Sequence, residues 1–292
     1  MLDLPSRSLT EVPMSKIIDG LMRYEEFRPA EPLAKLVKCI WIMESEQQGS
    51  HTAERILPDG CTEMVFNLAE PFEQHRPDGS AERQPLTLLA GQMQQPLLIA
   101  PTGRVQLMGV RFWPGGAYSF LMVPQTEITG RVIALDAILG SLARELQSRI
   151  AEASSSAAAV KHVETALLAR LKQSASRDEA VLSATGLILR SGGRLSIRRL
   201  AERIGINART LDRRFNTVVG LTPKALCRIV RFQQVFKMIQ PGGVHDWARL
   251  AADCGYYDQP HFIREFKAFA GREPTSYFAQ PNGMSDHFTG NS

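Results

Sequence analysis

The sequence predicts an α+β chain. A small β-barrel domain carrying two or more helices comes first, and an all-α block of two helix-turn-helix motifs joined by a long helix follows. Three observations carry this. Short apolar or alternating runs, punctuated by turn signals, fill the stretch from Leu36 to Trp113. From Ala134 onward apolar residues recur at helical spacing. Between Ser196 and Tyr277 one pattern is written twice.

Taken in order, residues 1–20 read as a flexible arm and residues 21–175 as a β-rich domain with helices at its end. Its strand candidates are L-V-K-C-I-W-I-M-E from Leu36, T-E-M-V-F-N-L from Thr62, L-T-L-L-A-G-Q from Leu86, P-L-L-I-A from Pro96 and R-V-Q-L-M-G-V-R-F-W from Arg104. Turn signals separate them at Pro58-Asp59-Gly60, Pro77-Asp78-Gly79, Pro101-Thr102-Gly103 and Pro114-Gly115-Gly116. Short strands at this spacing predict a small barrel or sandwich. Leu135, Ile138, Leu139, Leu142, Leu146 and Ile150 then form one helical stripe, and Val160, Val163, Leu167, Leu168 and Leu171 a second after Ser154-Ser155-Ser156. Residues 176–181 read as a linker, 182–280 as the helical block and 281–292 as a tail.

In the repeated pattern, Ser196, Leu200, Ala201 and Gly205 match Asp246, Leu250, Ala251 and Gly255 at an offset of 50. Leu211, Phe215, Gly220 and Pro223 match Phe262, Phe266, Gly271 and Pro274 at 51. Each copy has the chemistry of a helix-turn-helix. Ser196 and Asp246 cap a first helix whose Leu and Ala face inward, and the glycine that follows can take the left-handed conformation that stops it. Asn207 and Asp258 cap a second helix, with Leu211 and Phe215, or Phe262 and Phe266, as its inward residues. Its outer face carries Arg209, Thr210, Asp212 and Arg213 in one copy, and Gln259, His261 and Arg264 in the other. Arg and Gln near the start of such a helix are the side chains that read guanine and adenine edges in a major groove.

Between the copies Thr222 caps and Pro223 opens a helix from Lys224 to about Gln240, which Pro241-Gly242-Gly243 ends. Its length of about 25 Å suits two helices that must enter grooves about 34 Å apart.

Charge supports the same division. Residues 186–279 hold 16 Lys and Arg against 7 Asp and Glu, a balance of +9, whereas residues 1–185 balance at −4. Basic charge gathered in one domain fits a nucleic-acid partner. Apolar residues make up 44% of the chain, enough for proper cores. No apolar run approaches the roughly 18 residues of a membrane span, and the start has no signal-peptide segment, so a cytoplasmic protein without a membrane partner is expected. Cys39, Cys61, Cys227 and Cys254 form no C-x-x-C pair, which argues against a zinc site or a disulfide framework.

The block from about Leu182 to Tyr277 resembles the AraC/XylS family of bacterial transcription regulators. The residues that carry the resemblance are Arg209-Thr210-Leu211, Arg213-Arg214-Phe215, Leu221-Thr222-Pro223 and Arg228, then Gly255-Tyr256, Asp258-Gln259, His261-Phe262, Arg264 through Lys267, Gly271 and Pro274. It covers about a third of the chain and implies a seven-helix domain reading two adjacent major-groove segments of double-stranded DNA. L-P-D-G-C-T-E-M-V-F-N-L at 57–68 and G-V-R-F-W-P-G-G-A at 109–117 resemble a cupin-like N-terminal domain found in a subgroup of these regulators.

A cupin-type metal site needs several histidines and a carboxylate, and the N-terminal domain offers only His51 and His75, so no metal, cofactor or catalytic centre is expected. A pocket for a small-molecule effector is the better reading, with Trp41, Arg55, Glu63, Phe66, Gln92, Arg111 and Trp113 as lining candidates. A homodimer and RNA polymerase are the further expected partners. Two alternatives stand beside this reading. One is a constitutive DNA-binding protein whose first domain only assembles subunits, and the other is a thiol sensor built on Cys39 and Cys61.

Overall fold

The structure is a computed structural model that describes residues 14–18, 22–45, 53–174, 177–239 and 246–279. The N-terminal domain begins with β1 (Met14–Ile18), β2 (Met22–Phe27), α1 (Glu31–Ala34), β3 (Val37–Ser45), β4 (Glu54–Ile56) and β5 (Thr62–Asn67). It continues through β6 (Phe72–His75), β7 (Ala81–Arg83), β8 (Thr87–Ala90), β9 (Leu97–Pro101), β10 (Val105–Phe112), α2 (Tyr118–Leu121) and β11 (Val132–Ala134). Three helices follow, α3 (Asp136–Leu139), α4 (Ser141–Ala151) and α5 (Ser156–Gln173).

The strands do not close into the expected barrel. They form two open sheets, one of seven strands in the order β1-β2-β3-β10-β5-β8-β11 and one of four in the order β4-β9-β6-β7. Alternation along each strand then divides the side chains between two faces. Trp41 and Met43 on β3, with Val105 and Leu107 on β10, meet Phe72, Ile56 and Ile99 of the smaller sheet. Ile40, Met64, Phe66, Met108, Val110 and Phe112 face the other way, onto α2 to α5. The domain is therefore a three-layer stack of small sheet, large sheet and helices.

Two boundaries differ from the expectation. The arm of residues 1–20 includes Met14–Ile18, which pair with β2 as the edge strand β1. The stripe from Leu135 to Ile150 is broken at Gly140, whose φ of 59° turns the chain between α3 and α4. A stripe counted by apolar residues alone passes over such a break.

The helical block comprises α6 (Glu179–Arg190), α7 (Ile197–Ile204), α8 (Ala208–Val219), α9 (Pro223–Met238), α10 (Trp247–Asp253), α11 (Gln259–Ala270) and α12 (Pro274–Phe278). It begins inside the expected 176–181 linker, because Asp178 caps α6 and Val181 is buried in the core of the block. The expected tail, 281–292, lies outside the described residues. The caps fall on the residues that local chemistry selects. Ser196, Asn207, Thr222, Asp246 and Asp258 each accept a backbone N–H from the first turn of the helix they precede. Leu200, Ala201, Leu211 and Phe215 in one copy, and Ala251, Phe262 and Phe266 in the other, enter one core with α9 running through it. At about 1.5 Å per residue the 16 residues of α9 extend about 24 Å.

The first domain docks onto this block at three places. Leu57 is 4% exposed and belongs to the helical core, a burial that contributes about 1.5–3 kcal/mol. Beside it the buried amide of Gln233 on α9 donates to the Pro58 carbonyl at 2.6 Å. The second place is the end of α8, where the Thr129 hydroxyl lies 2.8 Å from the Gly220 carbonyl. The third is the end of α11, where Gly271 packs near Pro96 and Arg55.

Gly220 and Gly271 are matched positions of the repeat, and both are left-handed, with φ of 82° and 73°. A Cβ at Gly220 would stand 2.9 Å from the Gln125 carbonyl oxygen and 2.3 Å from Thr129 Oγ1, whereas one at Gly271 would meet Pro96 Cγ at 3.4 Å and Arg55 Nε at 3.9 Å, ordinary van der Waals contact. Both Ala substitutions incur the backbone strain, about 1 kcal/mol, but only the first displaces the opposite domain. Gly220→Ala is therefore expected to lower the chemical-denaturation stability of the full chain well beyond Gly271→Ala. Equal losses in parallel urea titrations would show that the two interdomain contacts are equally tight.

Candidate nucleic-acid interface

The second helix of each repeat presents one apolar and one polar face. On α8, Leu211, Phe215, Val218 and Val219 are buried, while Arg209, Asp212 and Arg213 are exposed and Thr210 is half-buried. Asn207 Oδ1 accepts the Thr210 N–H at 2.8 Å, which fixes the start of the helix and hence the angle of Arg209. On α11, Phe262, Phe266 and Phe269 are buried, Arg264 is exposed, and Gln259 and His261 are half-buried. Asp258 Oδ1 accepts the His261 N–H at 2.7 Å, and Pro260 sits in the first turn, where it removes no helical hydrogen bond.

Sequence reasoning missed the charge pairs that hold these helices. Arg214, on the flank of α8, makes a two-pronged bond to Asp178 at 2.6 and 2.5 Å, tying α8 to the cap of α6. Burial alone would raise the Asp178 carboxyl, but the Arg214 bonds and the Val181 and Ala180 N–H groups hold it below the ordinary carboxylate range. Glu265, on the inner side of α11, is buried, accepts from Arg228 Nε at 2.6 Å and lies 3.7 Å from Arg231, both on α9. His261 Nε2 is 3.5 Å from the same carboxylate, and its ring stands edge-on to Tyr256 at 5.6 Å. His261 thus turns partly inward, away from the reading position expected of it. The available signal for Glu265 was a lone carboxylate lodged beside Phe266 in an apolar stripe.

Tyr257, immediately before the Asp258 cap, is 93% exposed, the most solvent-facing large apolar side chain described. With Gln259 and Arg264 it belongs to the turn and N-terminal half of α11.

A helix-turn-helix domain model matches residues 200–280, and a family described as a domain of unknown function (DUF6597) matches residues 25–134. The helical block is an AraC-type helix-turn-helix domain. The chain is a DNA-binding transcription regulator. Solved structures similar to it include ToxT from Vibrio cholerae, at 10% identity and a TM-score of 0.43 over 80% of this chain and 96% of that one. The C-terminal domain of AraT, a response regulator from Geobacillus stearothermophilus, matches at 21% identity and a TM-score of 0.33 over 36% of this chain and 88% of that one. No curated protein matches the sequence.

Behind the AraC-type domain, the seven effector candidates do not converge. Trp41 and Glu63 line a cavity of 80 Å³ between the two sheets. That is below the roughly 300–1,000 Å³ of ordinary ligand pockets. Phe66, one residue out of phase with Glu63 and Val65, faces the helices instead. Arg55 reaches the helical block, where burial and Arg272 lower its pKa. Gln92 is buried and donates to the Gly60 carbonyl at 2.6 Å. Arg111 is spoken for by Glu63, its close ion-pair partner, and by Asp59 at 3.7 Å. Burial opposes its charge, yet these two carboxylates hold Arg111 well above its usual value. Trp113 lines a different space, a cleft between the domains.

The thiols are poorly placed for redox sensing. All four are buried. Burial pushes Cys39 up to about 12, Cys227 and Cys254 to about 11, and Cys61 well above its ordinary value. A thiol with so little thiolate is a weak nucleophile. Among the described residues no group of three or more His, Cys, Asp or Glu is placed to hold a metal ion, and no helix is long and apolar enough to cross a membrane.

Two expectations follow. Mild alkylation of the native chain at neutral pH leaves all four cysteines unmodified by mass spectrometry, and rapid labelling of Cys39 or Cys61 would restore the sensor alternative. Asp178→Asn keeps an effective cap but removes the ion pair, and lowers stability at pH 7 by about 1 kcal/mol. Because the Asp178 pKa is depressed by folding, its contribution is present above the ordinary carboxylate range and lost as pH falls through the folded value. Wild-type and variant unfolding curves therefore converge in acid, and a gap that persisted there would assign the effect to packing.

Proposed function

We propose that the chain is a sequence-specific regulator whose helices α8 and α11 read adjacent major-groove segments, with the N-terminal domain conveying a small-molecule signal to them. The observation that carries this is the pair of capped helices with matched buried faces and exposed arginines, Arg213 on one and Arg264 on the other. Arg209 and Arg213 lie four residues apart and share one helix face. Arg213 is a turn inside the helix, free of the Asp178 pairing that engages its neighbour Arg214, and suits a bidentate contact to guanine. Arg209, at the helix start, reaches a base or a phosphate, and Thr210 and Asp212 flank it. On α11, Arg264 holds the position matched to Arg213, and Gln259, the first residue of the helix, offers an amide near the position of Arg209. The Arg228–Glu265 and Arg214–Asp178 pairs keep both helices in place without occupying their outer faces.

The signal route is supported by the docking of the first domain on α9 and on the ends of α8 and α11. A ligand that favours one docked arrangement would bias both reading helices, since coupling requires only differential affinity for the two states.

Arg213→Ala is expected to cost about 1–3 kcal/mol on the best operator and to relax preference at one base pair. Arg264→Ala does the same about 10 base pairs away on the same face. Affinities measured for both variants across a panel of single-base operator substitutions decide the assignment: a uniform loss on every sequence would reduce both residues to phosphate contacts.

A further inference from the structure

A cleft of 490 Å³ lies between the domains, within the range of about 300–1,000 Å³ that small-molecule sites occupy. Its walls come from both domains. The first supplies the end of α1, the start of β3, the Asp59–Cys61 turn and Trp113, and the second supplies α6 and α9, the helix that joins the two reading units.

The charge of these walls is one-sided. Lys35, Lys38, Arg190 and Lys237 line the cleft, against the single carboxylate of Asp59. That carboxylate is already engaged, lying 3.7 Å from the buried Arg111 and accepting the Cys61 N–H at 2.9 Å. Lys35, Lys38 and Arg190 form no ion pair among the described residues, and the Lys38 ammonium lies over the Trp113 ring, 5.5 Å from its centroid. Lys35 and Lys38 belong to one domain and Arg190 to the other, so like charges face one another across a docking interface. Such an arrangement gathers positive potential in the cleft and favours an anionic occupant. Beside the polar Thr185, Gln233 and Gln234, the remaining wall carries the apolar surfaces of Trp113, Leu182 and Leu189, which suit an organic body rather than a bare ion.

We infer that this interdomain cleft is a binding site for a small organic polyanion, a phosphorylated or polycarboxylate metabolite, held by Lys35, Lys38 and Arg190 with its body against Trp113 and Leu182. Occupancy cross-links the two domains by charge and favours the docked arrangement. The inference names the ligand class and the place for the small-molecule signal, and in that respect it rests on the reading of the chain as an effector-responsive regulator.

The test uses the full chain and two probes, inorganic pyrophosphate and citrate, with calorimetry at fixed ionic strength in the presence of excess unrelated duplex DNA. The duplex occupies the basic reading face, so that a probe merely mimicking DNA is excluded. At least one probe is expected to bind at one site per chain, pyrophosphate marking a phosphate-bearing ligand and citrate a polycarboxylate. The double variant Lys35→Gln/Arg190→Gln, at two exposed positions, lowers that affinity by about tenfold or more. Lys38→Gln does the same without loss of operator binding. Binding that is abolished by duplex, or equal in wild type and both variants, overturns the inference, as does the absence of binding by either probe. Operator recognition measured on the same samples keeps the two readings apart: intact recognition without polyanion binding rejects the cleft alone, whereas failed recognition rejects the regulator reading.

Discussion

The arrangement of the two domains depends on one turn, Leu57 to Cys61. Its first residue is buried in the core of the other domain, and the next offers its carbonyl to Gln233 from a site closed to water. Gly60 then presses against Leu226 in a left-handed conformation, where a Cβ would stand 2.9 Å from Leu226 Cδ1. Asp59 and Glu63, on either side, anchor the turn to Arg111 within its own domain. Separating the domains exposes Leu57 to water and at the same time exchanges the Gln233–Pro58 hydrogen bond for bonds to solvent, a net loss of about 0.5–1.5 kcal/mol for the bond alone. The turn is thus rigid toward its own sheet and committed to its neighbour, which is what a transmitting element requires.

The same logic of fixed backs and open fronts governs the two reading helices. Each is held by a buried apolar face, with Phe215 on α8 and Phe262, Phe266 and Phe269 on α11, and by a carboxylate–arginine pair, Arg214 with Asp178 and Arg228 with Glu265. The outer arginines are left in water, where their desolvation is deferred until a phosphate or base replaces the solvent. Two kinds of arginine therefore sit within one short segment: Arg213 faces out, and Arg214 is structural. Composition cannot tell them apart, because the distinction is made by a residue thirty-six positions upstream.

That distinction marks the limit of what the chain discloses when read alone. Helix ends are legible down to the capping residue, since Asn207, Thr222 and Asp258 act on N–H groups only three positions away. Strands were legible as segments, but their closure was not. Whether β3 and β10 join a barrel or an open sheet depends on which strands pair, and no local pattern records this. The effector candidates suffered from a related ambiguity. Alternation puts Glu63 and Phe66 on opposite faces, so one pocket cannot take both, and only the packing of the helices shows which face is enclosed. Contacts between domains, such as Leu57 in the helical core, left no trace in either domain's own periodicity.

The Leu57–Cys61 turn also bears on how such a chain can change over generations. Its two domains look like interchangeable modules, joined by a short stretch near residue 178 where a genetic exchange could fall. The packing contradicts that appearance. A helical block inherited without its own turn would lack Leu57 and carry a Gln233 with nothing to donate to, while a foreign turn would have to supply a residue that tolerates φ near 82° and the proximity of Leu226. The two domains are separate in the chain and yet one inheritance unit in space, so drift in α9 and drift in a turn about 170 residues earlier must keep step.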